Sequence, residues 1–99
     1  VRLAERSVLV LTSLAGGDRH GYALLKDIES FSGVSLSPGT LYGALARLET
    51  DGYVERLPAE DRRCPYRLTG AGRAALADRL SESARIASLG LERIALGDA

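Results

Sequence analysis

Sulfur, aromatic rings and net charge are all scarce in this chain of 99 residues. Its one cysteine, Cys64, permits no internal disulfide, so packing must hold the fold and a reducing compartment is the default. Tryptophan and methionine are absent, and four tyrosines and one phenylalanine supply all the aromatic surface. That is little with which to grip flat aromatic ligands. The single histidine, His20, has no partners at metal-ligand spacing, so neither a metal nor a cofactor is expected. Nothing local brings Cys64 and His20 together as a catalytic pair, and no phosphate-loop or dinucleotide motif occurs, which argues against an enzyme. No apolar run reaches the ~20 residues of a membrane span, and the start has no secretory-signal pattern. A cytoplasmic protein without a membrane partner is expected. Thirteen basic residues balance thirteen acidic ones, which argues against a strongly basic, unselective nucleic-acid binder. The chain opens at Val1 rather than methionine, which leaves room for a short arm ahead of it.

What is present is helical periodicity. Leu3, Ser7, Val10, Leu11 and Leu14 predict a helix over 2–15, stopped by Gly16 and Gly17. Gly16 to His20 reads as a turn, with His20 as a cap or packing residue at the start of the next helix. Residues 21–32 form that helix, with Leu24, Leu25, Ile28 and Phe31 on one face and Gly33 as its stop. A third helix begins after a short turn. Ser37 is its N-cap, Pro38 takes the first helical position, and Gly52 sits where a left-handed stop belongs. Leu41, Leu45 and Leu48 form its buried stripe. Gly39, Gly43, Ala46 and Thr50 fall on the opposite side, flanked by Tyr42 on one edge and by Thr40 and Arg47 on the other. Two glycines in a helix cost roughly 1 kcal/mol each relative to alanine. A helix that keeps them lets something large approach its backbone, such as the major groove of DNA.

After Gly52 the period changes from 3.6 to 2. Tyr53–Leu57 and Tyr66–Leu68 alternate, separated by a polar loop of several residues from Pro58 to Cys64, and predict a β-hairpin in which Pro65 fits only a strand start or an edge. Thr69 then caps a long helix over 70–96. Leu80, Ala84, Ala87, Leu91 and Ile94 follow a heptad seam suited to dimerisation, and Leu76, Ile86, Leu89 and Leu96 lie off it. The fold class is mainly α with a small β-hairpin. It is a winged helix-turn-helix domain over 1–68 followed by a long C-terminal dimerisation helix over 69–99.

His20-Gly21-Tyr22, Ser37 through Tyr42, Leu45, Arg47-Leu48-Glu49, Gly52, Tyr66 through Thr69 and Gly72 together resemble the PadR family of bacterial transcriptional regulators. The resemblance runs from about Arg2 to Leu76, and the short C-terminal part resembles the subfamily with one terminal helix. It implies a homodimer that represses by binding an operator in double-stranded DNA, usually relieved by a small-molecule inducer. The family commonly has proline after the tyrosine of the third helix, where this chain has Gly43. It also commonly has basic residues and paired aromatics in the wing, where this chain has Arg62, Arg63, Cys64, Pro65 and a single Tyr66.

The candidate DNA-binding residues are Lys26, Ser37, Gly39, Thr40, Tyr42, Arg47, Arg62 and Arg63. Ser37 and Thr40 suit a phosphate at the N-terminus of the third helix. Tyr42 either meets DNA or only packs on the wing. Arg47 is the one strong base-reading side chain of that helix, or it pairs with Asp51. Arg62 and Arg63 reach for phosphate or the minor groove, or form a solvated cluster with Glu60 and Asp61. Lys26 lies on the polar side of the second helix. Few phosphates would be neutralised, so a shallow salt dependence is expected, with groove shape carrying much of the specificity. The alternative is a winged-helix protein-interaction module that binds no DNA. Cys64, beside two arginines, is either an incidental thiol or a redox switch.

Overall fold

The structure is a computed structural model and describes residues 2–97. The outermost residues of the two expected domains, Val1, Asp98 and Ala99, lie outside the described residues. Four helices and one hairpin follow in the order α1 (Glu5–Ala15), α2 (Gly21–Ser32), α3 (Pro38–Thr50), β1 (Val54–Arg56), β2 (Tyr66–Leu68) and α4 (Gly70–Gly97).

One core joins all of them. Val10, Leu11 and Leu14 of α1 meet Leu24 and Ile28 of α2 and Leu41, Ala44, Leu45 and Leu48 of α3. Val54, Tyr66 and Leu68 close it from the hairpin and Leu76 from α4. Each fully buried leucine contributes about 1.5–3 kcal/mol relative to an exposed one. Ser13 is buried too, and its hydroxyl donates to Asp27 at 2.6 Å. Arg19 donates to the Ser13 carbonyl at 3.1 Å, so the turn before α2 is tied to both helices.

Local chemistry sets the ends of α3. The Ser37 hydroxyl accepts the Thr40 N–H at 3.1 Å, and Pro38 follows at the first position. The helix ends at Thr50 with Asp51 as its C-cap, and Gly52 follows with a φ of 79°, the left-handed conformation that glycine adopts without steric cost. Thr69 binds three segments together. Its hydroxyl donates to the Gly52 carbonyl at 2.7 Å and accepts the Gly72 N–H at 3.0 Å, which caps α4 against the end of α3.

Two expectations are corrected. α1 starts at Glu5 rather than Arg2, because Ala4 is extended and Arg2 instead reaches Glu82 on α4 at 2.8 Å. Phe31 does not join the core. It is 47% exposed, since the last turn of α2 runs past the body of the domain. As for the apolar residues off the α4 seam, for which no contact was expected in particular, Leu76 packs on its own domain, while Ile86, Leu89 and Leu96 are exposed. The wing is the expected hairpin with a loop of several residues between Arg56 and Tyr66, and it closes in a tight turn at its tip. Glu60 and Arg63 exchange backbone hydrogen bonds of 2.7 and 2.9 Å around Asp61 and Arg62, whose φ values are 49° and 68°. Positive φ at both central residues makes this a type I′ turn, where asparagine or aspartate followed by glycine is usual. Arg62 stands in the glycine position, which hid the turn.

The hairpin pairs antiparallel with Val54 opposite Leu68 and Arg56 opposite Tyr66. Leu57 and Pro65 extend it with one 2.8 Å hydrogen bond, and Pro65 sits just before β2, where its missing N–H costs nothing. The other edge of β2 is occupied as well. Arg19 and Tyr66 exchange backbone hydrogen bonds of 3.2 and 2.9 Å, so the expected turn over 16–20 supplies a third short segment of sheet. From Ala77 to Gly97 no residue of α4 is buried, and about 30 Å of helix projects beyond the core.

Candidate nucleic-acid interface

The buried stripe of α3 leaves its opposite side bare. Gly39, Gly43, Ala46, Arg47 and Thr50 are exposed, and a Cβ added at Gly39 or Gly43 would meet nothing within 4 Å. The structure therefore supplies no internal reason for glycine at either position. Ser37 and Thr40 stand at the first turn, their hydroxyls joined by a 2.9 Å hydrogen bond.

Tyr42 is half exposed at the edge of this face. Its hydroxyl lies against Gly21 of α2, and its ring borders a cleft of about 510 Å³ between α2 and the wing. Arg62 and Arg63 line the far wall of that cleft, so the structure brings Tyr42 and the wing arginines together. Arg47 lies apart from them, on a groove shared with Leu3 and Tyr53 near the other end of α3. Lys26 is exposed on α2, with Nζ 5.7 Å from the Tyr22 ring centroid. Cys64 is half-buried in the same cleft wall.

The ion pairs are unevenly distributed. Among the described residues, Lys26, Arg47, Arg62 and Arg63 form no ion pair, whereas Arg2, Arg19, Arg56, Arg67 and Arg79 each do. Arg47 thus does not pair with Asp51, nor the wing arginines with Glu60 or Asp61. The remaining unpaired cations, Arg6, Arg73, Arg85 and Arg93, belong to α1 and α4. Arg67 holds Asp18 through two hydrogen bonds of 3.3 and 2.9 Å. Those bonds, then the Asp18 charge, and to a lesser degree Glu55, raise the Arg67 guanidinium above its ordinary value. It is a hairpin clamp.

Tyr22, Cys64 and Tyr66 also line the cleft, as do two polar side chains outside the eight expected ones, His20 and Arg56. His20 caps α2 by accepting the Ala23 N–H at 3.3 Å and turns its other nitrogen to Arg63. Arg56 lies 5.9 Å from the Tyr66 ring centroid, directly across the hairpin, and its other contact is Glu49 at 3.5 Å. The strand alternation carries a signal for Arg56 beside Tyr66. Nothing in the linear order foreshadows His20 beside Arg63, which are 43 positions apart.

Comparison with known proteins identifies the fold and the family. A transcriptional regulator of Mycobacterium tuberculosis, Rv3488, is 42% identical over 72 residues, covering 70% of this chain and 66% of that protein. An uncharacterized 37.1 kDa protein in transposon TN4556 of Streptomyces fradiae is 45% identical over 86 residues, covering 87% of this chain and 25% of that protein. The chain therefore spans a quarter of one relative and just under two thirds of the other. The crystal structure of a PadR family transcription regulator from Clostridium difficile has the same fold. Its TM-score is 0.82 at 24% identity, over 92% of this chain and 99% of that one. The sequence model of the Transcriptional regulator PadR-like family matches residues 10–78, from the middle of α1 into α4. By that match this chain belongs to the PadR-like family of transcriptional regulators, a family of regulators rather than of enzymes.

Proposed function

We propose that this protein is a repressor that binds a near-palindromic DNA operator as a homodimer. The observation that carries the reading is the bare face of α3, with Arg47 on that helix and Arg62 and Arg63 across the Tyr42 cleft, none of the three ion-paired among the described residues. Gly39 and Gly43 let the helix backbone sink toward the major groove. Ser37 and Thr40 meet a phosphate at the N-terminus of α3, Arg47 reads bases, and Tyr42 and Lys26 contact the backbone. Arg62 and Arg63 extend the grip from the wing tip.

The long exposed part of α4 supports the dimer. An isolated helix with Leu80, Leu91 and Ile94 in water gains nothing from burial, and a second copy along the seam of Leu80, Ala84, Ala87, Leu91 and Ile94 would cover them. In this reading residues 1–68 form the DNA-binding unit and residues 69–99 set the separation of two recognition helices, about 34 Å for successive major grooves. A small-molecule inducer would act between the copies, where it can change that separation. The protein would work in the cytoplasm.

Fluorescence anisotropy with the DNA upstream of the protein's own gene, at two salt concentrations and against a scrambled duplex, tests this. Saturable binding that outcompetes the scramble and weakens with salt is expected. If Lys26, Arg47, Arg62 and Arg63 of each copy meet phosphate, the slope of log affinity against log salt is about −7 for the dimer. Indifference to every duplex at low salt would replace this reading with that of a protein-interaction module.

A further inference from the structure

The cleft beside Tyr42 contains a hydrogen-bonding conflict. His20 Nδ1 faces the Ala23 N–H at 3.3 Å, and His20 Nε2 faces Arg63 Nη1 at 3.3 Å. Both neighbours can only donate. A neutral imidazole has one nitrogen that accepts and one that carries hydrogen. If Nδ1 accepts the cap, Nε2–H points at a guanidinium N–H. If Nε2 accepts from Arg63, the N-terminus of α2 loses its side-chain cap. The molecule alone cannot satisfy both contacts.

An anion removes the conflict. With the cap held by Nδ1, the exposed Arg63 side chain can turn aside and let one oxygen accept from both Nε2–H and Nη1. The surroundings suit such a guest. Arg56, Arg62, Arg63, Tyr22 and Tyr42 line the cleft with His20, and no carboxylate does. The neighbouring cleft, which His20 and Arg63 also line, carries Asp18, Glu60 and Asp61 beside Arg19 and Arg67, so only the Tyr42 side of the pair is lined without acids.

We propose that His20 and Arg63 together bind one phosphodiester of the DNA backbone, with His20 donating from Nε2 while its Nδ1 keeps α2 capped. This rests on the DNA-binding reading above and adds to it a residue on the N-cap of α2, outside both α3 and the wing. The site takes phosphate and reads no base, so it fixes the register of the protein on DNA.

The test uses the full chain and a bound duplex in which single phosphates are replaced, one at a time, by uncharged methylphosphonates. His20→Asn is the informative variant, because asparagine caps helices well and removes only the Nε2 donor. It should melt no lower than the parent and bind the native duplex about tenfold more weakly. One methylphosphonate position per half-site should weaken the parent by a similar factor and leave His20→Asn no weaker than on the native duplex. Arg63→Ala should share that position. Parent-like affinity of His20→Asn overturns the inference, as does an equal further loss in both proteins at every position. Failure of the parent to bind any native duplex would instead remove the DNA reading itself.

Discussion

The Tyr42 hydroxyl occupies the space beside Gly21, where an added Cβ would lie 2.1 Å from it. Helix α2 therefore begins with glycine because the ring of a tyrosine from α3 rests on its first turn. The two helices of the helix-turn-helix are locked to each other through a residue that also borders the candidate DNA interface.

Gly21→Ala should displace the ring rather than the backbone, since the atom it meets is the far end of a side chain. The stability change is expected to stay within about 1 kcal/mol, because alanine regains helix propensity. Affinity for operator DNA should fall by about tenfold, ~1.4 kcal/mol. Parallel thermal melts and anisotropy titrations check this. Unchanged affinity would mean that Tyr42 serves only the packing of α2 on α3.

Gly43 and Gly72 should answer the same substitution in opposite ways. Gly43→Ala meets open space and should raise stability by about 0.5–1 kcal/mol while weakening DNA binding. A Cβ at Gly72 would lie 2.0 Å from the Tyr53 carbonyl oxygen, a backbone atom with no easy escape. Gly72→Ala should lower stability by about 1–3 kcal/mol. Urea unfolding with tryptophan-free circular dichroism detection separates the two.

Arg62 should trade stability for binding. Its φ of 68° is left-handed, and an L-residue there costs about 1–2 kcal/mol that glycine avoids. Arg62→Gly is therefore expected to melt higher than the parent and to bind DNA more weakly, with a shallower salt slope. A glycine variant that melts higher and binds as well as the parent would remove Arg62 from the interface.

Leu91 is 68% exposed in the single chain, so Leu91→Glu should leave the fold intact. It should convert a dimer into a monomer by sedimentation and abolish operator binding at concentrations where the parent saturates. The thermal melt of the winged-helix core should persist. A dimer that survives would place the seam elsewhere on α4.

The helices were legible because their determinants are local. Ser37 with Pro38, Gly33, Gly52 and Thr69 act within a few positions of themselves, so helix ends can be read from the chain. The leucine spacing of α3 likewise specified which side is buried and, by exclusion, the bare face. The tight turn at the wing tip was not legible. It uses Arg62 where the usual signal is glycine, and backbone strain has no signature in residue order.

The candidate interface itself divides along the same line. Which residues could face DNA follows from periodicity, because each side chain's direction is set by its own helix or strand. Which residues meet one another does not. Tyr42 against Gly21, Arg19 paired with Tyr66, and His20 against Arg63 join segments that approach only when α2, α3 and the hairpin close on a common core. Phe31 points the same way: its helical position matches Leu24, yet the core ends before reaching it. Sequence alone determined the elements and their polarity through short-range contacts, whereas the clefts, and which residues line them together, were decided by the tertiary path.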